Sequence, residues 1–213
     1  MISRQLLRTI RGLNTLPRVS FSIFGKTDDI ISKVTQDHRE LETYFKNYKA
    51  AKSEEDSYKW FNLFVWEISR HSVAEEQILY QLLEAQGDKG KKLAQKSRED
   101  HREMKKALED LRQEKDPKKF DEKFKDAFKD LEKHLSYEEK EDLPFLKEKL
   151  SEKELIAAGK AFTMKEKLAP TRPHPSVPDK PAALELALGL MIAPVDKFRD
   201  LFTSFPDKDT TKA

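Results

Sequence analysis

The sequence contains no cysteine, only six glycines in 213 residues, and no large excess of charge of either sign. Without cysteine, disulfides, thiolate zinc sites and cysteine nucleophiles are excluded, so imidazole and carboxylate groups must hold any metal. No apolar run approaches the roughly 20 residues that a membrane-spanning helix needs. A formal charge of +2 gives no field that favours nucleic acid. No nucleophile, phosphate-binding loop or nucleic-acid motif indicates another class of enzyme or binding protein.

Charged residues are abundant: they make up 38% of the chain, and their two signs are interleaved. Glutamate and lysine dominate the middle of the sequence. This composition is typical of long helices with solvated outer faces, and it disfavours a β fold. The sequence therefore predicts an all-α protein.

Apolar residues recur at three- and four-residue steps in four long segments. These predict helices over about residues 28–51, 53–86, 89–114 and 117–150. Ser53 is the expected N-cap of the second helix, Gly87 ends it, and Asp116 with Pro117 begins the fourth. Pro144 is expected to kink or interrupt the fourth helix. Short turns make successive helices antiparallel, so the pattern predicts an up-down-up-down four-helix bundle over residues 28–150.

The first 27 residues differ from the bundle region. They carry arginine, lysine and hydroxyl residues but no acid, which is the composition of a mitochondrial transit peptide. We therefore expect a mitochondrial location. The alternatives are a disordered basic tail and a cytoplasmic protein.

Residues 151–213 form a C-terminal extension. It is predicted to contain a helix over about 151–165 and a proline-rich surface loop that includes His174. Two short amphipathic helices, over about 182–191 and 195–202, are expected to pack on the outside of the bundle. The alternative for these two helices is a role at a membrane surface.

Four of the five histidines lie on the apolar stripes of four different predicted helices: His38, His71, His101 and His134. His38 and His101 lie roughly ten to twelve residues into the shorter helices, and the other two about eighteen residues into the longer ones. All four can therefore meet at one depth of the bundle.

Two of these histidines are followed one helical turn later by a carboxylate: Glu75 after His71, and Glu138 after His134. A buried carboxylate is costly unless it is paired or bound to a metal. A two-metal centre removes this cost if the carboxylates bridge the ions and the imidazoles cap them. This ligand set suits iron, manganese or zinc.

The plainer interpretation is that each histidine is a core residue with a satisfied hydrogen bond, in a metal-free helical scaffold. The pattern H-x-x-x-E also arises by chance in glutamate-rich helices. Four histidines on four separate stripes, two of them with matching glutamates, favour the metal centre.

Four stretches of the sequence resemble the hemerythrin-like (HHE cation-binding) family: Asp37-His38-Arg39-Glu40-Leu41, His71-Ser72-Val73-Ala74-Glu75-Glu76, Asp100-His101-Arg102-Glu103 and His134-Leu135-Ser136-Tyr137-Glu138-Glu139. The resemblance implies a bundle that holds two iron ions, with manganese or zinc less favoured. It implies terminal imidazoles and bridging carboxylates from these residues: His38, His71, His101 and His134, with Glu75 and Glu138. The region that begins at Thr171-Arg172-Pro173-His174-Pro175 is similar to the C-terminal extension of fungal members, for which no chemistry is implied.

One position departs from the oxygen-carrying members, which have a further histidine one turn before the position of His101. Ser97 stands there in this sequence. Glu42, one turn after His38, is either a substitute ligand or a solvated residue.

The resulting site is expected to be more open than that of an oxygen carrier, since about four of twelve octahedral positions remain for water and exogenous ligands. We therefore expect a sensing, redox or iron-handling role, with dioxygen, peroxide or nitric oxide as the small ligand, rather than simple oxygen transport. The alternatives are an iron buffer and a metal-free scaffold. The sequence leaves open whether the protein is an enzyme and which oligomer it forms.

Overall fold

The computed structural model describes residues 29–178, 180 and 182–207. The predicted targeting segment, residues 1–27, lies outside the described residues. In the described part of the chain every regular element is helical, and the predicted all-α class is confirmed.

Four long helical rods form the bundle. The first rod is α1, Ile30–Ala50, and the third is α4, Asp88–Gln113. The second rod consists of α2 (Glu54–Ala74), a π-helical turn (Glu75–Leu79) and α3 (Tyr80–Glu84). The fourth rod repeats this plan with α5 (Pro117–Tyr137), a π-helical turn (Glu138–Asp142) and α6 (Leu143–Lys149). The predicted four-helix bundle is confirmed.

N-cap residues, a glycine and a proline mark the ends and interruptions of the rods. Asp29, Ser53 and Asp116 accept hydrogen bonds from backbone N–H groups of the first turns of α1, α2 and α5, which would otherwise lack partners. Gly87 separates the second and third rods with a φ of 88°, a conformation that residues with a side chain rarely adopt. Pro144 lies in the first turn of α6, just after the second π-helical turn, so its missing N–H interrupts the α-helical pattern there as predicted.

The core of the bundle consists of two apolar clusters, one towards each end of the rods. One cluster is rich in aromatic side chains, and Phe124 lies at its centre against Phe45, Phe61 and Phe64. The other consists largely of aliphatic residues, among them Val34 and others on α1, α4, α6 and α7. The predicted metal ligands lie in the layer between the two clusters. Both clusters bury apolar surface, and this burial must offset the cost of the polar layer.

The C-terminal extension packs against the bundle. Its first helix, α7 (Glu152–Leu168), begins with a capping box between Ser151 and Glu154 and packs on α1 and α2. It extends three residues beyond the predicted end. A proline-rich loop then leads to α8 (Ala182–Asp200), which contacts α7 and the first π-helical turn.

One expectation for the extension is wrong. The two short helices predicted over 182–191 and 195–202 are one helix, which continues through Pro194. Contacts on both sides of Pro194 hold it, because Glu185 is buried before it and Asp196 is buried after it. His174 lies in the proline-rich loop and is partly exposed, in agreement with the prediction, and its Nε2 lies 2.8 Å from Asp196 Oδ2, which ties the loop to α8.

Large apolar side chains are exposed on the outer face of α8, including Met191 and Phe198, and in the turn that follows it, where Phe202 lies. None of the described helices is long and apolar enough to cross a membrane. The membrane-surface role stays a prediction.

Replacement of Phe124 by alanine is expected to reduce the free energy of unfolding by about 3–5 kcal/mol, because the cavity would lie inside the aromatic cluster. The matched control is Phe198→Ala, which removes a ring that is 63% exposed and should cost less than about 0.5 kcal/mol. Urea unfolding of metal-free protein measures both values. Equal losses for the two variants would contradict this account of the core.

Candidate metal centre

The four predicted histidines meet at one level of the bundle, each from a different rod. The ring centroids of His38 and His71 are 5.2 Å apart, and those of His101 and His134 are 4.7 Å apart. All four side chains are buried. The imidazoles therefore form two pairs, one from the first two rods and one from the last two.

The two predicted carboxylates lie between these pairs, and each offers one oxygen to each pair. Glu75 Oε1 is 3.1 Å from His71 Nε2, and its Oε2 is 3.3 Å from His101 Nε2. Glu138 Oε2 is 3.4 Å from His38 Nε2, and its Oε1 is 3.5 Å from His134 Nε2. Two groups of four residues result, and both contain Glu75 and Glu138.

The hydrogen bonding of these atoms tests whether a metal fits. Among the described residues, His38 Nε2, His71 Nε2, both oxygens of Glu75 and Glu138 Oε2 are buried without a hydrogen-bond partner. Buried polar atoms are normally satisfied, because an unpaired one costs about 1–3 kcal/mol. A cation at each group of four would satisfy them all. The donor set is therefore compatible with metal binding.

Both carboxylates lie where their rods change from α-helix to π-helix. Glu75 is the first residue of one π-helical turn, and Glu138 is the first residue of the other. A π-helical turn widens the helix locally and often marks a functional site. Helical periodicity predicts the face on which both glutamates lie but not these turns.

A second set of carboxylates faces the other nitrogen of each imidazole. His38 Nδ1 lies 2.9 Å from Glu139 Oε1, and His101 Nδ1 lies 2.8 Å from Glu76 Oε1. The remaining two contacts are longer: His71 Nδ1 to Asp37 Oδ2, 3.4 Å, and His134 Nδ1 to Asp100 Oδ2, 3.5 Å. In metal sites such outer carboxylates orient the imidazole and raise its basicity. We call Asp37, Glu76, Asp100 and Glu139 the outer carboxylates.

The two halves of the centre repeat in the sequence. Asp37-His38 recurs as Asp100-His101, and His71 with Glu75-Glu76 recurs as His134 with Glu138-Glu139. The separation is 63 residues in both cases (101 − 38 and 134 − 71). Each outer carboxylate adjoins a predicted ligand in the sequence but faces an imidazole of a neighbouring rod. Only the packing of the rods could reveal those partners.

Three polar residues near the centre break this internal repeat, and of these only Ser97 could be singled out from the sequence. They are Tyr80, Ser97 and Asp142, whose equivalents in the other half are Leu143, Val34 and Leu79.

The Tyr80 hydroxyl donates to Glu138 Oε1 at 2.7 Å and lies 2.9 Å from His101 Nε2. Ser97 Oγ donates to Asp142 Oδ2 at 2.8 Å, so serine and aspartate together occupy the place of the missing histidine. Glu42 lies at the surface and pairs with Arg39, which excludes it as the substitute ligand.

The pKa values of the centre reflect its burial. Burial by itself would lower the pKa of His71 and His101, but the neighbouring carboxylates raise these values to about 10 and about 9. Burial would raise the pKa of Glu75, but His71 and the other imidazoles hold it well below its usual range. Without metal, His71 and His101 therefore hold protons as imidazolium ions against carboxylates. Burial, followed by the charge of Glu138, raises the pKa of Asp142 to about 7.

Comparison with known proteins agrees with this geometry. The family described as the Hemerythrin HHE cation binding domain matches residues 29–146, so the chain belongs to the hemerythrin-like family. An uncharacterised hemerythrin-like protein of Schizosaccharomyces pombe is 37% identical over 183 residues, which cover 85% of this chain and 90% of that protein. This similarity is longer than the domain itself and so includes part of the flanking segments. No solved structure matches the chain.

Metal-free protein is expected to lose stability as the pH rises from about 6.5 to about 10. The folded state holds protons on His71 and His101 that the unfolded chain releases near the usual imidazole pKa of 6.5. Their contribution is therefore complete below pH 6.5 and is lost as the pH passes through about 9 to 10. Urea unfolding of chelator-treated protein at pH 6, 7.5 and 9 measures this fall. A midpoint that stays constant or rises with pH would contradict the assignment.

Proposed function

We propose that this protein binds two iron ions in the centre and uses them to react with or sense a small oxidant, such as dioxygen, peroxide or nitric oxide. His38 and His71 would hold one ion, and His101 and His134 the other. Glu75 and Glu138 would bridge the pair. Iron is favoured over manganese or zinc by the family, and mixed imidazole and carboxylate ligands suit it.

One observation carries the proposal: each of the two buried carboxylates divides its oxygens between the two histidine pairs. Glu75 and Glu138 both do so, from opposite halves of an internal repeat. Two bridging carboxylates between two imidazole pairs are the arrangement that a pair of cations requires. The unpaired buried atoms also favour a metal centre over a metal-free scaffold, in which only protons could offset the buried carboxylates.

The polar residues that break the repeat support a reactive centre rather than a closed one. A ferrous pair supplies electrons and open coordination positions to a small oxidant. Tyr80 can hold a proton beside Glu138, and Asp142, with Ser97 as its hydrogen-bond donor, can hold a second one nearby. Asp142 Oδ1 has no hydrogen-bond partner among the described residues, so it is available to one more polar group. Proton donors next to a redox centre favour reduction of an oxidant over reversible binding.

Iron buffering is the second candidate. It uses the same six ligands and is favoured by the partial exposure of two outer carboxylates, Asp100 and Glu139, which gives iron a side from which to exchange. Loading the protein with ferrous iron under anaerobic conditions and then adding oxygen or peroxide separates the candidates. A redox centre oxidises both irons together and retains them. A buffer releases ferrous iron to a chelator at least as fast as the bound iron is oxidised.

Replacement of Glu75 by glutamine is expected to reduce the bound iron from two ions per chain to one or fewer, because a neutral amide cannot bridge two cations. The matched control is Glu42→Gln, which removes a surface carboxylate one turn from His38 and should keep two ions. Metal analysis after anaerobic ferrous loading measures the ratio. Two tightly held irons in the Glu75→Gln protein would overturn the bridging role.

Replacement of Tyr80 by phenylalanine should leave two irons bound but slow the reaction with peroxide by up to about 100-fold, because a positioned proton donor is lost. The matched control is Tyr44→Phe, a buried tyrosine that stacks on Trp60 in the aromatic cluster. Stopped-flow absorbance of the loaded protein measures the rate. An unchanged rate in the Tyr80→Phe protein would remove Tyr80 from the mechanism.

A further inference from the structure

Helix α8 turns an acidic side chain towards the bundle and apolar ones towards solvent. Its Glu185 is buried, whereas Met191 and Phe198 are exposed. This reverses the usual order of an amphipathic helix, in which the apolar face is buried. Helix α7 buries apolar residues in the usual way, but it also buries one acid, Glu166. Buried carboxyl groups are costly unless something specific holds them. Their partners therefore indicate what the extension does.

Glu166 reaches the metal centre through one lysine. Lys33 Nζ lies 3.1 Å from Glu166 Oε2 and 2.5 Å from Asp37 Oδ1. Asp37 is the outer carboxylate that faces His71 Nδ1. A continuous chain of contacts thus connects α7 to one imidazole of the first pair.

Glu185 reaches the centre directly at an outer carboxylate. Its carboxyl group lies within hydrogen-bonding reach of Glu76. Glu76 Oε1 contacts His101 Nδ1, and Glu76 Oε2 accepts from Lys105 Nζ at 2.7 Å. Two carboxyl groups attract each other only when they share a proton. Both oxygens of Glu76 already face a nitrogen, His101 Nδ1 and Lys105 Nζ, so Glu76 is the carboxylate of the pair and Glu185 is the partner that carries the shared proton.

The other two outer carboxylates show what the extension adds. Asp100 and Glu139 have side chains that are 30% and 26% exposed, and they pair with Lys96 and Arg39 of the bundle. Asp37 and Glu76 have almost no exposure. Lys96 is the internal-repeat equivalent of Lys33, yet it remains at the surface. The extension thus encloses one outer carboxylate behind each histidine pair.

We propose that Glu166 and Glu185 are positioning residues through which the C-terminal extension holds His71 and His101, so that the extension is a working part of the metal centre. Both residues lie beyond residue 146, where the match to the family ends. The proposal rests on the metal-binding function proposed above. Loss of an outer partner in a metal site typically lowers the affinity for the metal by about 10- to 100-fold.

The test compares two replacements of Glu185 in the full-length chain loaded anaerobically with ferrous iron. Glu185→Leu removes the hydrogen-bond donor at similar size, and Glu185→Gln keeps a donor. We expect Glu185→Leu to release iron to a chromogenic ferrous chelator about 10- to 100-fold faster and to shift the reduction potential of the centre. Glu185→Gln should restore both values to near those of the unaltered protein. The control, Glu152→Leu, removes an exposed acid at the start of α7 and should change neither.

The outcomes separate this proposal from the proposed function. If the unaltered protein binds no iron, the function fails. If it binds two irons but Glu185→Leu matches it in release rate and potential, only the role of the extension fails. Equal defects in the leucine and glutamine variants would also overturn the role, because they would indicate packing rather than a hydrogen bond. If Glu185→Leu does not fold, as judged by circular dichroism, iron release is measured on the Glu166→Gln protein instead. Release at the rate of the unaltered protein would then overturn the proposal.

Discussion

The fold depends on one constraint: a layer of imidazoles and carboxylates lies across the middle of a helical bundle, away from water. Each isolated buried charge would cost several kcal/mol even after relaxation. The layer is tolerable because its charges alternate, with a carboxylate on both sides of each imidazole. Protons balance these charges in the metal-free protein, as the raised pKa values of His71 and His101 indicate. The apolar clusters above and below must supply the stability that this layer does not.

The internal repeat explains how two metal positions arise from one plan. In each unit, a rod that carries an adjacent Asp and His packs beside a rod that carries a His and, one turn later, two glutamates. The first and second rods form one unit, and the third and fourth rods form the other, which faces it. Within a unit, the outer carboxylate of one rod faces the imidazole of its neighbour, as Asp37 does for His71 and Asp100 for His134. The units are not equal in their surroundings. Tyr80 contacts His101 of the second pair, and α7 packs on α1 and α2 of the first unit.

The four rods and the six candidate ligands could be predicted because helical periodicity reports which residues share a face. The same periodicity could not predict the π-helical turns, since these depend on a local change of hydrogen-bond register that no residue pattern at Glu75 or Glu138 marks. It also missed the outer carboxylates, which lie beside ligands in sequence but act across rods. Two short helices were expected before and after Pro194, yet α8 is one helix that runs through it, with a buried acid on either side. Tertiary contacts override the local signal in each of these cases.

The place of the missing histidine is filled in part by polar side chains and is closed to bulk solvent. Ser97, Tyr80 and Asp142 are all buried, although they are polar and break the repeat. Replacement of a histidine by serine alone would leave a space beside the centre, and Asp142 takes part of it through its bond with Ser97. Only a small molecule and protons can reach such a position without movement of the rods. Burial thus limits the class of exogenous molecule more strongly than the metal-binding residues do. It supports a diatomic molecule or peroxide over a larger substrate.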